Sequence, residues 1–390
     1  MNEINFSTKL HQLQKLKIAI VHDYLAEYGG AERVVEEMAN LFPQSDLFFG
    51  FVDKKKLNKK FSKFISHSIQ MTFLSKIPFF TKLFSPLRFL APKAFASLNL
   101  AQYDLVISSS NAYFAKAVKV KKGRHFCYCH TPARSLYGYN TLTDWKKNKL
   151  MLIYGSVLNH FLRLKDFEIA QNVDFFIANS ICVKDRIAKF YRRSAKVIYP
   201  PVALVDKYGD LVTHCQSLNK KELGDYFLYV NRLAFAKHPE LAIQVCLDLK
   251  LPLKVVGDGK LRSSLEKKYC SKLITFLGFV DDEHLAELYS QAKALIYPVE
   301  DEDFGIVPIE AMGFGLPVIS YYSGGPKETI IDGQTGLFFH HLTLSSLKEA
   351  LINFNKKKFS KDKIRQQAMN FNQHNFKVNF INFLYEKIFL

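Results

Sequence analysis

Glu302 and Glu310 stand with seven residues between them in the stretch 297–317, YPVEDEDFGIVPIEAMGFGLP. The first falls on a loop after an apolar run. The second falls in the opening turns of a short apolar helix that Pro308 helps to start. Upstream, Arg232 and Lys237 follow another strand-like run, YFLYV. A carboxylate can accept two hydrogen bonds from a cis-diol, arginine grips a phosphate with two donors, and lysine adds a point charge. The amides of Phe304, Gly305 and Ile306, at a helix N-terminus, favour a phosphate or a sugar hydroxyl. Two carboxylates beside two cations suit a ligand with hydroxyls at both ends and a diphosphate between, the layout of a nucleotide-sugar. Two surface cations are the plainer reading of Arg232 and Lys237 taken alone.

Other residues fit the same chemistry less specifically. Gly29-Gly30-Ala31-Glu32 follows the first apolar run and opens a helix, where paired glycines let backbone approach a ligand closely. Glycine is common in strand-to-helix turns of every kind. His130, before Thr131-Pro132, ends what reads as the fourth strand and can meet a sugar hydroxyl or move a proton. A histidine satisfied by nearby backbone fits as well. Asp301-Glu302-Asp303 has the form of an aspartate-x-aspartate metal motif, but so short a triplet is frequent, and no metal is expected. Gly257-Asp258-Gly259 reads as a turn. Gly324-Gly325-Pro326 reads as either a turn or a close approach to ligand.

The elements that must position these residues alternate along the chain. Short continuous runs rich in Ile, Val, Phe and Tyr, as expected of strands buried on both faces, fall at 17–22, 46–51, 104–108, 125–129, 174–178 and 196–199. A second series falls at 226–230, 253–256, 274–277, 294–297 and 317–321. Helical patterns such as 31–41, 239–249 and 282–292 separate them, which predicts two doubly wound parallel sheets, an α/β class. In such sheets ligands bind beyond the carboxyl ends of the strands. Tyr199-Pro200-Pro201 and the polar stretch 205–225 mark the boundary, and 371–389 reads as one amphipathic helix.

The 390 residues are natural for two domains, and no apolar run reaches the length of a membrane span. The polar N-terminus shows no secretion signal, and the six scattered cysteines fit reduced thiols in cytosol. Net charge is +18 and lopsided: residues 1–200 hold 31 Lys+Arg against 14 Asp+Glu, whereas 201–390 hold 23 against 22. Residues 54–93 carry ten Lys/Arg, no acid and seven phenylalanines. Cations interleaved with phenylalanine suggest an amphipathic surface against an anionic membrane. A solvated face in a lysine-rich protein is the plainer alternative. Nucleic acid would attract the same charge, but no recognition-motif spacing is present, so no such partner is expected.

Assembled, these segments resemble glycosyltransferase family 4, whose members have the GT-B fold. The resemblance runs from about Lys17 to the C-terminus through GGAERVV, CYCHTPAR, FFIANSICVKDRI, VIYPPV, NRLAFAK, VVGDG, ITFLGFV, EDFGIVPIE and SGGPKETI in order. The HTPAR and NRL forms resemble the branch holding mannosyltransferases of surface polysaccharides. The resemblance implies two Rossmann-like domains facing a cleft: 1–201 for the acceptor and the membrane, 202–370 for the nucleotide-sugar, and a helix over 371–390 crossing back to the first domain. It implies retention of configuration, no cofactor and no required metal. It places Arg232 and Lys237 on the donor diphosphate, Glu310 on the ribose, and Glu302 and His130 on the transferred sugar. Gly29, Gly30, Asn231, Asp303, Phe304, Gly305, Ile306 and Val307 complete the implied substrate contacts. Asn231 stands where many members carry glycine, and Ala133 and Ser135 replace bulkier residues of the mannosyl branch. GDP-mannose is the first expected donor, with UDP-sugars behind it. A glycan or lipid-linked oligosaccharide of cell-surface polysaccharide, such as lipopolysaccharide, is the expected acceptor. The expected location is the inner face of the plasma membrane. Rival readings are a hydrolysing nucleotide-sugar epimerase, which would need further cleft carboxylates, and a non-enzymatic membrane- or polyanion-binding protein.

Overall fold

The computed structural model describes residues 5–140, 149–202 and 224–390. The expected polar linker 205–225 therefore lies almost wholly outside the described residues, as does Cys215. The chain divides into two compact units. The first comprises 1–139, 145–201 and 374–390, and the second 140–144 and 202–373.

The first unit holds strands β1 (Ile18–His22), β2 (Asp46–Phe49), β3 (Ile69–Met71), β4 (Leu105–Ser110), β5 (Arg124–Cys129), β6 (Phe175–Ala178) and β7 (Ala195–Val197). They form one sheet in the order 3-2-1-4-5-6-7, with every pair parallel. The second unit holds β8 (Phe227–Val230), β9 (Leu253–Val256), β10 (Ile274–Gly278), β11 (Leu295–Tyr297), β12 (Val318–Tyr321) and β13 (Gly336–Phe339). Their order is 10-9-8-11-12-13, again all parallel. The strand order reverses between β1 and β4 and between β8 and β11. Those are the switch points where doubly wound sheets bind ligands.

Two strands escaped the sequence reading. β3 is a three-residue edge strand inside the basic stretch, so His130 follows the fifth strand and not the fourth. β13 opens on Gly336, a residue that weakens strands. It is needed there because a Cβ would fall 2.0 Å from the Val318 carbonyl oxygen of β12.

In the first unit, the helix Gly30–Leu41 packs Val34, Val35 and Met38 against Ile18 and Ile20 of β1. The C-terminal helix Gln373–Phe389 adds Phe376, Phe380, Ile381 and Leu384 to the same core. On the other sheet face a 23-residue helix, Lys149–Gln171, is fastened by a buried ion pair. Lys116 Nζ lies 2.6 Å from Asp166 Oδ1, and the second oxygen accepts from Tyr137 (2.9 Å) and Tyr191 (2.8 Å). Burial alone would depress Lys116, but Asp166 holds it above the ordinary lysine value.

The Lys/Phe stretch 54–93 is not one continuous helix: short helical turns flank β3, Phe64 and Phe80 enter the core, and Phe73, Phe79 and Phe89 stay exposed. The five described cysteines are free thiols, three of them buried. Among the described residues no helix is long and apolar enough to cross a membrane.

Candidate functional site

Each switch point carries a cluster of polar side chains. In the second unit, β11 ends at Tyr297 and the chain runs through a loop to Gly305. This glycine takes φ +89° and caps the helix Ile306–Gly313. Glu302 sits on that loop. Its Oε2 accepts from Lys237 Nζ at 2.5 Å and from the Tyr297 hydroxyl at 2.8 Å. Burial, reinforced by the Glu302 charge, raises the Tyr297 phenol well above its ordinary range, so it stays a donor. Lys237 closes a short turn after β8, and the Tyr229 hydroxyl donates to its carbonyl at 2.9 Å. Arg232 is exposed on the same loop, where its N–H donates to Asn231 Oδ1 at 3.0 Å. Lys237 and Glu302, read from sequence as separate contacts, are thus paired with each other. The loop brings in Asp303, Ile306 and Val307 half-buried.

Phe304 turns its ring inward, 5.8 Å from Phe371, so only its backbone can face a ligand. Glu310 is buried in the helix. Two glycine turns press on these loops. A Cβ on Gly324 would fall 2.1 Å from the Glu302 carbonyl oxygen, and one on Gly257 would fall 1.9 Å from that of Asn231. Both turns therefore approach backbone that carries the polar cluster. Among the described residues, no group of three His, Cys, Asp or Glu side chains is spaced to share a metal ion.

In the first unit, register sets the cluster: His22 of β1 lies opposite Ser109 of β4. Nδ1 of His22 is 3.1 Å from the Ser109 carbonyl oxygen and 3.0 Å from its Oγ. Nε2 of His22 reaches Glu32 Oε1 at 3.5 Å, and Glu32 Oε2 accepts from the Gly29 N–H at 2.8 Å. Burial alone would depress His22, but Glu32 raises it above the ordinary histidine value. Burial alone would raise Glu32, but His22 holds it below the usual carboxylate range. The two opposed shifts favour the charged form of each partner. Ser109 Oγ also lies 2.7 Å from His130 Nε2. Burial, helped by the His22 charge, pushes His130 down to about 3, so it is neutral. His22 Nδ1 has both the Ser109 carbonyl and its hydroxyl as acceptors, and the same hydroxyl is the partner of His130 Nε2.

Gly29 is the N-cap of the helix Gly30–Leu41, and its N–H serves Glu32. His22, Ser109 and Tyr297 were missed from sequence. The one available signal was the run Ser108-Ser109-Ser110 closing an apolar strand.

Comparison with known proteins agrees with this architecture. The family model described as glycosyl transferases group 1 matches residues 213–371. The chain is 25% identical to alpha-1,3/1,6-mannosyltransferase ALG2 of Candida glabrata, over 82% of this chain and 79% of that protein. The Schizosaccharomyces pombe protein of the same name is 24% identical, over 82% and 70%. Among solved structures, sucrose-phosphate synthase from Thermosynechococcus elongatus matches with TM-score 0.68 at 19% identity, covering 96% of this chain and 99% of that one. The apo form of the lipopolysaccharide outer core galactosyltransferase WaaB gives 0.63 at 18%, covering 95% and 100%. These structures share the fold, the matched segment contains the whole second sheet, and mannosyltransferase relatives run along most of the sequence: the chain is a glycosyltransferase with the GT-B fold, similar in its second unit to the group 1 glycosyl transferases.

Proposed function

We propose that this enzyme moves mannose from GDP-mannose, with retention of configuration and without a metal, to a glycan or lipid-linked oligosaccharide acceptor of the cell surface. The observation that carries this reading is the Lys237–Glu302–Tyr297 cluster at the switch point of the second sheet, beside the N-terminus of the helix Ile306–Gly313. Arg232, Lys237 and the amides after Gly305 hold the donor diphosphate. Glu310 takes the ribose, and Glu302 and His130 take the sugar. When the bond from the sugar to the diphosphate breaks, its electron pair leaves with the diphosphate, the anomeric carbon bonds to an acceptor hydroxyl oxygen, and that hydroxyl's proton passes to the departing diphosphate. Fixed cations and amides stabilise that growing charge. The mannosyl assignment rests on the ALG2 relatives. Work at the inner face of the plasma membrane is supported by the excess of cations in residues 1–200.

The test is a donor screen. GDP-mannose, GDP-fucose, UDP-glucose, UDP-galactose and UDP-GlcNAc are each incubated with the protein, and release of nucleoside diphosphate is followed with and without EDTA. Release from GDP-mannose alone, unchanged by EDTA, is expected. Release from a UDP-sugar would replace the donor, and loss with EDTA would return Asp301 and Asp303 to consideration as metal ligands.

A further inference from the structure

The helix Lys149–Gln171 is apolar on two opposite faces. Leu162, Ile169 and Ala170 pack inward, with buried Asn159 and Asp166 between them. On the other side Ile153, Val157, Phe161 and Leu164 are 64%, 55%, 64% and 60% exposed. At 3.6 residues per turn they form a stripe about 80° wide and about 17 Å long. A surface helix normally buries one stripe and leaves the opposite face polar. A second apolar stripe left in water marks an interaction surface.

Charge says what covers it. The Tyr154 hydroxyl donates to the Pro86 carbonyl at 2.9 Å, and Arg88 donates to Ser135 Oγ at 2.8 Å and to Asn159. This ties the helix to the acid-free segment 54–93, whose Phe79 is 75% exposed. At the far end of the stripe, exposed Phe167 borders a cavity of about 670 Å³ in which Arg163, Lys189 and Arg192 stand among Tyr137 and Phe190. Tyr137 and Phe190 stack at 4.2 Å, Arg163 Nε holds the Leu136 carbonyl at 2.8 Å, and Lys189 lies over Phe190. Among the described residues none of the three cations is paired with a carboxylate; nearby Asp166 is taken by Lys116. A second copy of the chain would bring two strongly cationic surfaces together, which disfavours self-association.

We propose that this stripe and cavity together hold a phosphate-bearing lipid of a bilayer. The hydrocarbon lies along Ile153, Val157, Phe161 and Leu164, and the phosphate lies among Arg163, Lys189 and Arg192. The proposal deepens the lipid-linked acceptor reading above and rests on it for its biological sense. Its chemistry stands on the surface alone.

The test is co-sedimentation with vesicles of phosphatidylcholine and of phosphatidylcholine mixed with phosphatidic acid. The wild type binds the mixed vesicles and not the neutral ones. Val157→Ser/Phe161→Ser and Lys189→Gln/Arg192→Gln each weaken that binding about tenfold or more, with unchanged circular dichroism and melting temperature. Soluble dihexanoyl phosphatidic acid competes, and inorganic phosphate at equal concentration does not. Equal binding to both vesicle types, no binding to either, or wild-type binding by both variants overturns the proposal. Equal competition by inorganic phosphate makes the cavity a free-phosphate site and also overturns it. So does a wild-type dimer that Val157→Ser/Phe161→Ser dissociates while vesicle binding persists. Donor hydrolysis is read on the same preparations. Vesicle binding without release of GDP from GDP-mannose would sink the mannosyl-donor reading and leave this one standing.

Discussion

Ser109 Oγ lies 2.7 Å from Nε2 of His130, and the same hydroxyl is 3.0 Å from Nδ1 of His22. One serine thus stands between two buried imidazoles whose pKa values are moved apart, His22 upward by Glu32 and His130 downward by burial. With His130 contacting the transferred sugar as proposed, Ser109→Ala removes the hydrogen-bond partner of its Nε2, and with it the partner's hold on the tautomer, without touching substrate. Turnover should fall about tenfold or more, below the full contribution of a positioned proton-transfer group. The KM for donor should hardly move. Nitrogen-15 spectra of the histidine rings check the cause: a His130 tautomer identical in wild type and variant would overturn the assignment.

Removing either proposed diphosphate cation, by Arg232→Ala or Lys237→Ala, should lower turnover by about 10²–10³. Lys237 is paired with Glu302, so Lys237→Ala and Glu302→Gln should not be additive. A double-mutant cycle should show about 0.5–3 kcal/mol of coupling. Near-normal turnover in both alanine variants would sink the phosphate assignment.

Two buried histidines predict acid sensitivity. Burial pushes His125 down to about 4, with its Nε2 2.8 Å from Ser108 Oγ, and His130 down to about 3. Both folded values lie below the unfolded value of 6.5, so the unfolded chain takes up protons that the folded chain refuses. Stability from these groups is therefore present above pH 6.5 and lost as pH falls from there toward 3. The slope approaches about 1.4 kcal/mol per pH unit for each. His22 has the opposite shift, so its own contribution changes only around and above pH 6.5 and adds no slope well below it. Urea titrations at stepped pH should show the fall, and His125→Gln should remove about half of it.

Asp166→Asn should destabilise the first unit by about 3–5 kcal/mol, the usual cost of stranding a buried charge, here Lys116. Asp166→Asn/Lys116→Met should recover much of the loss. Equal unfolding midpoints for single and double variants would show that the ion pair is not what fixes the long helix.

Gly257 holds φ +123° with its Cα hydrogen against the Asn231 carbonyl. Gly257→Ala should cost about 2–6 kcal/mol, combining a left-handed backbone with overpacking. Any folded fraction should bind GDP more weakly in calorimetry, because the loop carrying Arg232 must shift. Unaltered stability would contradict the close approach.

The central strands β1, β4, β5, β8 and β11 were legible because continuous apolar runs bounded by polar loops have one reading. β3 and β13 were not, one being three residues long and the other opening on glycine. The helix Lys149–Gln171 left no amphipathic signature because both its faces are apolar. Glu302, Lys237 and Glu310 could be picked out by residue type, but not the pairing of the first two. They lie 65 residues apart and meet because β8 and β11 are neighbours. His22 and Ser109 meet through the register of β1 on β4, which no local pattern encodes.

The helix Gln373–Phe389 finishes a core begun by Ile18 and Ile20. During synthesis, therefore, the first unit cannot complete its hydrophobic interior when its own strands have left the ribosome. It must wait while residues 202–373 are made, roughly ten to thirty seconds at ~5–20 residues per second. Over that interval Phe126 and Tyr128 of β5 and Phe175 of β6 offer an apolar surface that Phe376 and Phe383 later cover. A nascent chain stalled before Phe376 should be captured by chaperones and cut by protease in its first half, even where its second half is already resistant.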